Sequence, residues 1–202
     1  MSNFLTEWDQ TLNTAPYGPL GIIPMSGTED MGSAVDRWLL RWHELQDLQD
    51  REFYTSPGQD RTDFIISAAT PRFGTGEGKG VIRESVRGYD IYIIVDVCAY
   101  NVTYRMYNFE VPKSPDDHFQ DLKRIIAAIA GKAKRVNVIM PMLYESRQHR
   151  RNARESLDCA MALQELERMG VANIITFDAH DPRVMNAIPL CGFENVQPTY
   201  QM

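Results

Sequence analysis

Positive charge is scarce in this sequence, and so are cysteines and long apolar runs. Its 202 residues carry 21 Lys and Arg against 27 Asp and Glu, a formal net charge of -6. This balance argues against a protein that coats duplex DNA through a broad basic face. We therefore expect no nucleic-acid partner and only a local basic site. The apolar fraction of 44% is enough to bury a globular core.

The scarcity of apolar runs and cysteines bears on location. No uninterrupted apolar run approaches the roughly 18 residues that a membrane-spanning helix needs. The opening residues, MSNFLTEWDQ, lack the basic and apolar regions of a secretory signal. Cys98, Cys159 and Cys191 cannot all pair, and each lies in a mainly apolar stretch that suits a reduced core thiol. We therefore expect a cytoplasmic protein with no membrane partner.

Residues 1–60 differ from the rest, and we interpret them as an N-terminal arm followed by an amphipathic helix. Prolines and glycines are frequent from Pro16 to Gly32. Ser33 is then placed to cap a helix whose apolar residues recur at helical spacing: Val35, Trp38, Leu39, Trp42, Leu45 and Leu48. The two tryptophans suit either a partner-binding face or a helix docked on its own domain. We favour the docked helix.

Residues 61–202 alternate between strand-like and helical segments. DFIISAAT, YDIYIIVDV, KRVNVIMP and NIITFD predict strands, and DDHFQDLKRIIAAIAGK and ARESLDCAMALQELERMG predict helices that end near Gly131 and Gly170. Apolar strands without period-two alternation, separated by helices, are typical of a parallel sheet covered on both faces. We predict an α/β fold with a doubly wound parallel sheet. In such sheets, ligands bind beyond the carboxyl ends of the strands.

The first loop of interest is glycine-rich and runs from Gly74 to Gly80. Glycines let backbone N–H groups approach an anion, which suggests a phosphate loop. Gly80 stands where a Walker loop needs Ser or Thr after Lys79, and the following VIRES is strand-like rather than helical. Spacing alone therefore favours a flexible hairpin connection over phosphate binding.

The second loop is basic and follows KRVNVIMP. Eight residues of this acidic protein contain Arg147, Gln148, His149, Arg150, Arg151 and Arg154. A charge run is usually only a solvated surface. This run, however, lies at the carboxyl end of a strand and before a helix, where the helix dipole also favours anions. Because arginine forks bind phosphate oxygens bidentately, a polyphosphate site and a solvated run are about equally favoured.

The third loop, Asp178 to Asp181, follows NIITFD. Asp178 and His180 are two residues apart, so in extended backbone their side chains share a face and can converge on a cation or its waters. A lone histidine is more often a structural residue. The flanking aspartates raise the case for a magnesium-nucleotide site, but spacing alone still favours a structural histidine. If a metal binds here, His180 is the stronger candidate ligand and Asp178 the weaker one.

Taken in order, these segments resemble the N-terminal half of the ribose-phosphate pyrophosphokinase family over residues 60–202. RFGTGEGKGVIRESVRGYDIYII is similar to the family's F-x-D-G-E loop and its I-x-E-S-V-R-G-x-D strand entry. DLKRIIAAIAGKAKRVNVIMPMLYESRQHRR is similar to its helix, strand and R-Q-D-R-K segment, and ITFDAH to its T-M-D-L-H. Each motif is modest, but their common order and spacing make coincidence a poor explanation.

The resemblance implies a phosphoribosyltransferase-like fold and a specific chemistry. The family transfers the β,γ-diphosphoryl group of ATP to the C1 hydroxyl of ribose 5-phosphate, with Mg²⁺ as cofactor. By resemblance, Arg147 and Gln148 contact ATP, and His180 helps to hold the magnesium on the phosphates of ATP. A neighbouring subunit's adenine site would be reached by Phe73, Thr75, Gly76 and Glu77. The resemblance therefore also implies a homo-oligomer.

Three departures separate this sequence from the family pattern and leave alternatives open. Thr75 replaces the family's Asp, His149 stands third in the R-Q-D-R-K segment, and Tyr104 to Pro115 form an aromatic insertion. The family's ribose-phosphate loop and flexible catalytic loop have no counterpart here, so we expect residues 1–202 to be inactive alone, with no catalytic residue of their own. The alternatives are a non-catalytic nucleotide-binding or regulatory relative, and an unrelated α/β domain with a fortuitous basic loop.

Overall fold

The computed structural model describes residues 17–47 and 63–199. In chain order the elements are β1 (Leu20–Pro24), α1 (Glu29–Asp47), β2 (Ala68–Ala69), β3 (Val81–Ile82), β4 (Asp90–Ile94), β5 (Thr103–Met106), β6 (Phe109–Pro112), α2 (Pro115–Ile129), β7 (Arg135–Ile139), α3 (Asp158–Arg168), β8 (Asn173–Phe177), a 3-10 helix (Pro182–Ala187) and β9 (Gly192–Val196). No helix in this part of the chain is long and apolar enough to cross a membrane.

The central sheet has five strands in the order β1-β4-β7-β8-β9, and every neighbouring pair is parallel. On the outer side of β1, Ile65 forms a parallel bridge with Ile22. After β1 the chain runs through α1 to Ile65, on the side of β1 away from β4. It then crosses back past β1 to β4, and the remaining strands are added toward the other edge of the sheet. This reversal confirms the predicted doubly wound α/β arrangement.

The register of the strands gives the sheet an inner and an outer face. The inner face carries Ile91, Ile93, Val136, Val138 and Ile174, which form one buried cluster with apolar residues of α2 and α3. Helix α1 lies on the other, outer face. A Cβ built on Gly32 would stand 2.6 Å from the Cβ of Pro24, so only glycine permits this close approach of α1 to β1.

Helices lie on both faces of the sheet, as predicted, and the outer face is less completely covered in the described part of the chain. In the described ranges, α1 is the only helix on the outer face, and its contacts there are with β1. Tyr92, Ile139 and Ile175 of the outer face are partly exposed, and Phe177 and Val196 are each 40% exposed. The apolar sequence of the strands favours two covered faces, and in the described residues α1 covers the outer face chiefly at β1.

The N-terminal region is more closely integrated with the sheet than an arm would be. Residues 20–24, predicted as part of the arm, are strand β1, and Gly21 lies opposite Ile91 of the neighbouring strand. Period-based reasoning misses this strand because LGIIP is short and is bounded by prolines. Residues 1–16 and 48–62, including Leu48 of the predicted helix, lie outside the described residues.

Helix α1 exists as predicted, but its start and its docked face differ from the prediction. It begins at Glu29, so Ser33 lies inside the helix and is not its cap. The side chains of Trp38 and Trp42 are 54% and 57% exposed, whereas Gly32 and Asp36 are buried. The docked face is therefore built on a glycine and an aspartate, which hydropathy does not mark, and the tryptophans are left without the burial that we expected.

The later helices agree better with the sequence. Ser114 and Asp117 form the capping box of α2, whose predicted apolar residues are all buried: Phe119, Leu122, Ile125, Ile126 and Ile129. Burying each such side chain contributes roughly 1.5 to 3 kcal/mol. Helix α3 begins at Asp158, later than predicted, so Arg154 belongs to the basic loop before it. Strand β9 was not predicted.

The aromatic insertion folds as an antiparallel hairpin of β5 and β6. Tyr107 and Asn108 form its two-residue turn, and both have positive φ values of 46° and 69°. Two consecutive left-handed residues are characteristic of a type I′ turn, which matches the twist of the flanking strands. The insertion is thus an ordered element beside the glycine-rich loop.

Candidate functional site

The loops that follow β7 and β8 meet at the carboxyl edge of the sheet. The hydroxyl oxygen of Ser146 accepts a hydrogen bond from the backbone N–H of His180 at 3.2 Å. The rings of His149 and His180 are in edge contact, with centroids 5.1 Å apart. Since Arg147 and Gln148 lie between Ser146 and His149, the structure brings the predicted phosphate-binding residues and the predicted metal ligand to adjoining loops at one edge of the sheet.

The basic loop is shaped by its backbone. Glu145 has a φ of 54°, and its carbonyl accepts from the backbone N–H of Gln148 at 2.8 Å. The carbonyl of Gln148 accepts in turn from the backbone N–H of Cys159, which ties the loop to the start of α3. The side chains of Arg147 and Gln148 remain exposed, as do those of the other arginines of the loop, Arg150, Arg151 and Arg154. The loop therefore presents a local cationic surface.

Tyr144 anchors this loop from below, a role that the sequence did not reveal. Its ring stacks on Phe119 with centroids 4.3 Å apart and an interplanar angle of 5°. Its hydroxyl donates to the carboxylate of Asp116 at 2.6 Å. Burial, followed by the bond to Asp116, raises the pKa of Tyr144 above its usual range. A tyrosine three residues before the arginines is a weak signal, because nothing local connects it to a helix 28 residues earlier.

The two aspartates of the loop after β8, Asp178 and Asp181, have different surroundings. Asp178 has a φ of 47°, and its side chain is exposed, as is that of His180. Asp181 instead caps the 3-10 helix and pairs with Arg183, with an Nη2–Oδ2 distance of 2.6 Å. The bonds to Arg183 hold the pKa of Asp181 well below its usual range. Asp178 and His180 are therefore the exposed polar residues of the loop from Asp178 to Asp181.

Two further side chains bear on this region, those of His149 and of Cys98 in the loop after β4. The Nδ1 atom of His149 is buried without a hydrogen-bond partner in the described part of the chain, while its Nε2 lies 3.5 Å from Asp181. Burial raises the pKa of the Cys98 thiol, and the positive charge of Arg147 partly opposes that shift. The loop after β4 is therefore within electrostatic reach of Arg147.

The glycine-rich loop forms a second region, on the side of the hairpin. Arg72 and Gly78 form an antiparallel bridge, and β2 and β3 pair antiparallel on the two sides of the loop. The loop is therefore a hairpin connection, as its spacing predicts. The backbone N–H of Phe73 donates to Glu77, and the hydroxyl of Thr75 donates to the Glu77 carboxylate at 3.0 Å. Gly76 has a φ of 93°, and a Cβ there would stand 2.7 Å from the sulfur of Met106. The side chains of Phe73, Thr75 and Glu77 are exposed.

A buried charge network fixes this second region to α2. Asp121 is fully buried and accepts from three cations: Arg72 at 3.0 Å, Lys113 at 2.8 Å and Arg124 at 2.7 Å. The guanidinium of Arg72 also lies 4.9 Å from the ring centre of Tyr104 in the hairpin. One carboxylate thus joins the strand entry, the hairpin and the helix. Sequence reasoning missed it because Asp121 looks like an ordinary polar position of an amphipathic helix.

The sequence of this chain is similar to those of known proteins. The family model for the N-terminal domain of ribose phosphate pyrophosphokinase matches residues 62–170, a range that includes both loops but ends before Asp178 and His180. Ribose-phosphate pyrophosphokinase of Oceanobacillus iheyensis is 29% identical over 115 residues, which is 56% of this chain and 32% of the relative. The enzyme of Corynebacterium ammoniagenes is 30% identical over the same length and shares. The match to these curated relatives thus spans about a third of their length.

A solved structure supports the fold assignment. Phosphoribosylpyrophosphate synthetase from Mycobacterium smegmatis matches 90% of this chain and 49% of that protein, with a TM-score of 0.60 and 16% sequence identity. At this identity the likeness shows the fold alone, and it confirms the phosphoribosyltransferase-like α/β architecture. The family model matches more than half of the residues of this chain. The chain therefore belongs to the ribose-phosphate pyrophosphokinase family and corresponds to its N-terminal domain.

Proposed function

We propose that this chain is the ATP-binding half of a ribose-phosphate pyrophosphokinase, which transfers the diphosphoryl group of ATP to the C1 hydroxyl of ribose 5-phosphate. The observation that carries the proposal is the contact between the Arg147 loop and the His180 loop, made by Ser146 and His149. The free thiols of Cys98, Cys159 and Cys191 support a cytoplasmic location.

The phosphates of ATP would bind to the basic loop. Arg147 offers a planar fork of donors that matches phosphate oxygens, and Gln148 adds a neutral amide donor beside it. In-line transfer to a hydroxyl depends mainly on positioning and on neutralising the charge of the phosphates, so the reaction requires no covalent nucleophile from this chain. By the resemblance, the acceptor sugar would be held by the family's ribose-phosphate loop, for which residues 1–202 show no counterpart.

Magnesium would fit this edge of the sheet as an ion held chiefly by the nucleotide. No three His, Cys, Asp or Glu side chains of the described residues are grouped so as to hold a metal by themselves. Mg²⁺ commonly keeps several waters and binds through substrate phosphates with only one or two protein groups. His180 and the more weakly placed Asp178, both exposed at the edge, supply such groups, and the orphaned ring nitrogen of His149 can bond one of the waters. When bound, the ion would neutralise phosphate charge.

The adenine would be recognised by the second region from a neighbouring copy. The contacts of Phe73, Thr75, Gly76 and Glu77 are with one another, the hairpin and α2 rather than with the Arg147 loop. A site shared between copies requires a homo-oligomer, and we expect light scattering to report one at tens of micromolar, roughly the range of a weak interface. A monomer at that concentration would contradict the shared site.

The alternative is a non-catalytic nucleotide-binding or regulatory relative. It is favoured by Thr75, which replaces the family's Asp and whose hydroxyl is already bonded to Glu77. Thr75→Asp separates the two. If the loop reads adenine in a catalytic half, restoring the carboxylate should tighten ATP binding without improving GTP binding. Equal effects on the two nucleotides would favour the regulatory relative.

A calorimetric titration with ATP, paired with an assay for AMP release, tests the proposed function. We expect the chain to bind ATP more tightly with Mg²⁺ than with a chelator, and to release no AMP when ribose 5-phosphate is added. Absence of ATP binding at millimolar concentration would refute the ATP-binding role. Turnover that requires ribose 5-phosphate would show an acceptor site within residues 1–202.

A further inference from the structure

A cavity of about 210 Å³ opens at the carboxyl edge of the sheet, and none of its lining residues belongs to the two regions of the candidate site. The lining is formed by residues 23–26, Glu29, residues 65–70 and Ile125. Residues 64–66 run parallel to β1, because the backbone N–H of Ile66 donates to Ile22 and that of Ile22 donates to Phe64, each at 2.8 Å. The cavity therefore lies beyond the carboxyl ends of two adjacent parallel segments, where α/β sheets bind their ligands.

The walls of this cavity are fixed by the rest of the fold. On one side, the hydroxyl oxygen of Thr28 lies 2.8 Å from the carbonyl oxygen of Met25 and 3.0 Å from that of Ile94, which ties the turn after β1 to β4. On the other side, the backbone N–H of Ser67 donates to the Glu84 carboxylate at 2.9 Å. The cavity is thus largely pre-formed, as small-molecule sites usually are.

The size of the cavity and the apolar part of its lining suit a small ring system. Ile23, Ile66 and Ile125, which belong to β1, to the segment beside it and to α2, are all among the lining residues. An apolar cavity of about 150 Å³ is enough to hold benzene, whereas a drug-sized ligand needs roughly 300 to 1,000 Å³. At about 210 Å³, this cavity has room for a ring system somewhat larger than benzene.

The polar part of the lining offers hydroxyls and a carboxylate, but no positive charge. The hydroxyls of Ser26, Ser67 and Thr70 form no hydrogen bond within the described part of the chain. The Oε2 atom of Glu29 accepts from the backbone N–H of Gly27 at 2.8 Å, and its Oε1 atom has no partner among the described residues. The lining residues, all of which lie in the described ranges, include no Lys, Arg or His, so the cavity does not suit a phosphate.

The lining defines a ligand by its chemistry. A ring would lie against the isoleucines, an amino group on it would donate to the Glu29 carboxylate, and ring nitrogens would accept from the hydroxyls. We propose that this cavity binds an amino-bearing heterocycle of nucleobase size, such as adenine, without a phosphate group. The inference is independent of the proposed function, since Arg147 follows β7, which lies two strands from β1, about 10 Å away.

Titration of adenine into the isotope-labelled 202-residue chain, followed by backbone-amide NMR, tests where the heterocycle binds. The amides of residues 25–29 and 65–70 should shift at millimolar adenine, and an excess of Mg-ATP should not reverse these shifts. The same shifts should appear in Arg147→Ala, because the cavity does not include the basic loop. Absence of shifts in these two stretches, or shifts that Mg-ATP reverses, would overturn the proposal.

A cycle of ligand and protein changes tests the hydrogen bond to Glu29. Purine lacks the amino group of adenine, and Glu29→Gln removes the charge but keeps an oxygen for the N–H of Gly27. Each change alone should raise the dissociation constant about fivefold or more, and both together little further, because both remove one charge-assisted bond. Asp30→Asn neutralises the neighbouring carboxylate of the same helix turn, which lies outside the lining, and should leave the affinity for adenine unchanged. Additive losses, or equal losses from Glu29→Gln and Asp30→Asn, would contradict the proposal.

Discussion

The two regions of the candidate site are built in different ways. The Arg147 loop and the His180 loop present exposed side chains, and they are held by backbone hydrogen bonds and by the side chains of Ser146 and Tyr144. The glycine-rich loop is anchored by the fully buried Asp121 and its three cations. The comparison separates exposed residues, whose loss we expect to affect binding, from buried residues, whose loss we expect to affect folding.

Replacing Asp121 should have the largest effect on stability. Asp121→Ala leaves Arg72, Lys113 and Arg124 without their shared carboxylate, two of them buried, and removing one partner of a buried ion pair costs about 3 to 5 kcal/mol. Urea denaturation followed by circular dichroism measures the loss. As a control, Asp178→Asn removes an exposed charge at the other region, keeps a residue that tolerates the local φ of 47°, and should change the unfolding free energy by less than about 0.5 kcal/mol. Equal losses would erase the distinction between the regions.

Replacing His180 should affect ligand binding rather than folding. A neutral imidazole would act on the nucleotide through the metal, so His180→Ala should weaken ATP binding about tenfold with Mg²⁺ and by less than about twofold in a chelator. Calorimetric titration under both conditions provides the measurement. An equal loss with the metal chelated would exclude His180 as a metal ligand.

Replacing Tyr144 should have a small effect on stability. Tyr144→Phe keeps the stacking on Phe119 and removes the hydrogen bond to Asp116, which contributes about 1 kcal/mol. The pH dependence gives a second readout. Because the pKa of Tyr144 is raised in the folded protein, the unfolded chain loses this proton first, and the tyrosine destabilises the fold as the pH rises past about 10. The variant should lose less stability between pH 8 and 11 than the parent; an identical decline would contradict the assigned hydrogen bond.

The sequence predicted the parts of the fold that depend on local pattern. Strands β4, β7 and β8 and the buried stripe of α2 follow from apolar runs and helical spacing. Strand β1 and the docked face of α1 were missed. The docked face of α1 contains Gly32, which packs against Pro24, and Asp36, which accepts from the backbone N–H of Phe64. Hydropathy does not mark contacts of this kind. Pairings between distant residues leave no period in the sequence.

The same limit applies to the candidate site. The carboxyl-edge rule predicted that Arg147, Gln148 and His180 lie together, since it needs only the order of strands and loops. Tyr144, Ser146 and Asp121, which hold the loops in place, could not be found because each acts through a partner far along the chain. Positions could thus be predicted, but not the contacts that support them.

The central claim is that the edge carrying Arg147 binds the phosphates of ATP, and one titration tests it most directly. Mg-ATP is titrated into the parent chain, Arg147→Ala, and Arg87→Ala, an exposed arginine near the opposite, amino-terminal edge. Loss of a charge-assisted bond predicts an affinity about ten- to a hundredfold weaker for Arg147→Ala, or roughly 1.5 to 3 kcal/mol, and an unchanged affinity for Arg87→Ala. Equal affinity of the parent chain and Arg147→Ala would contradict the account.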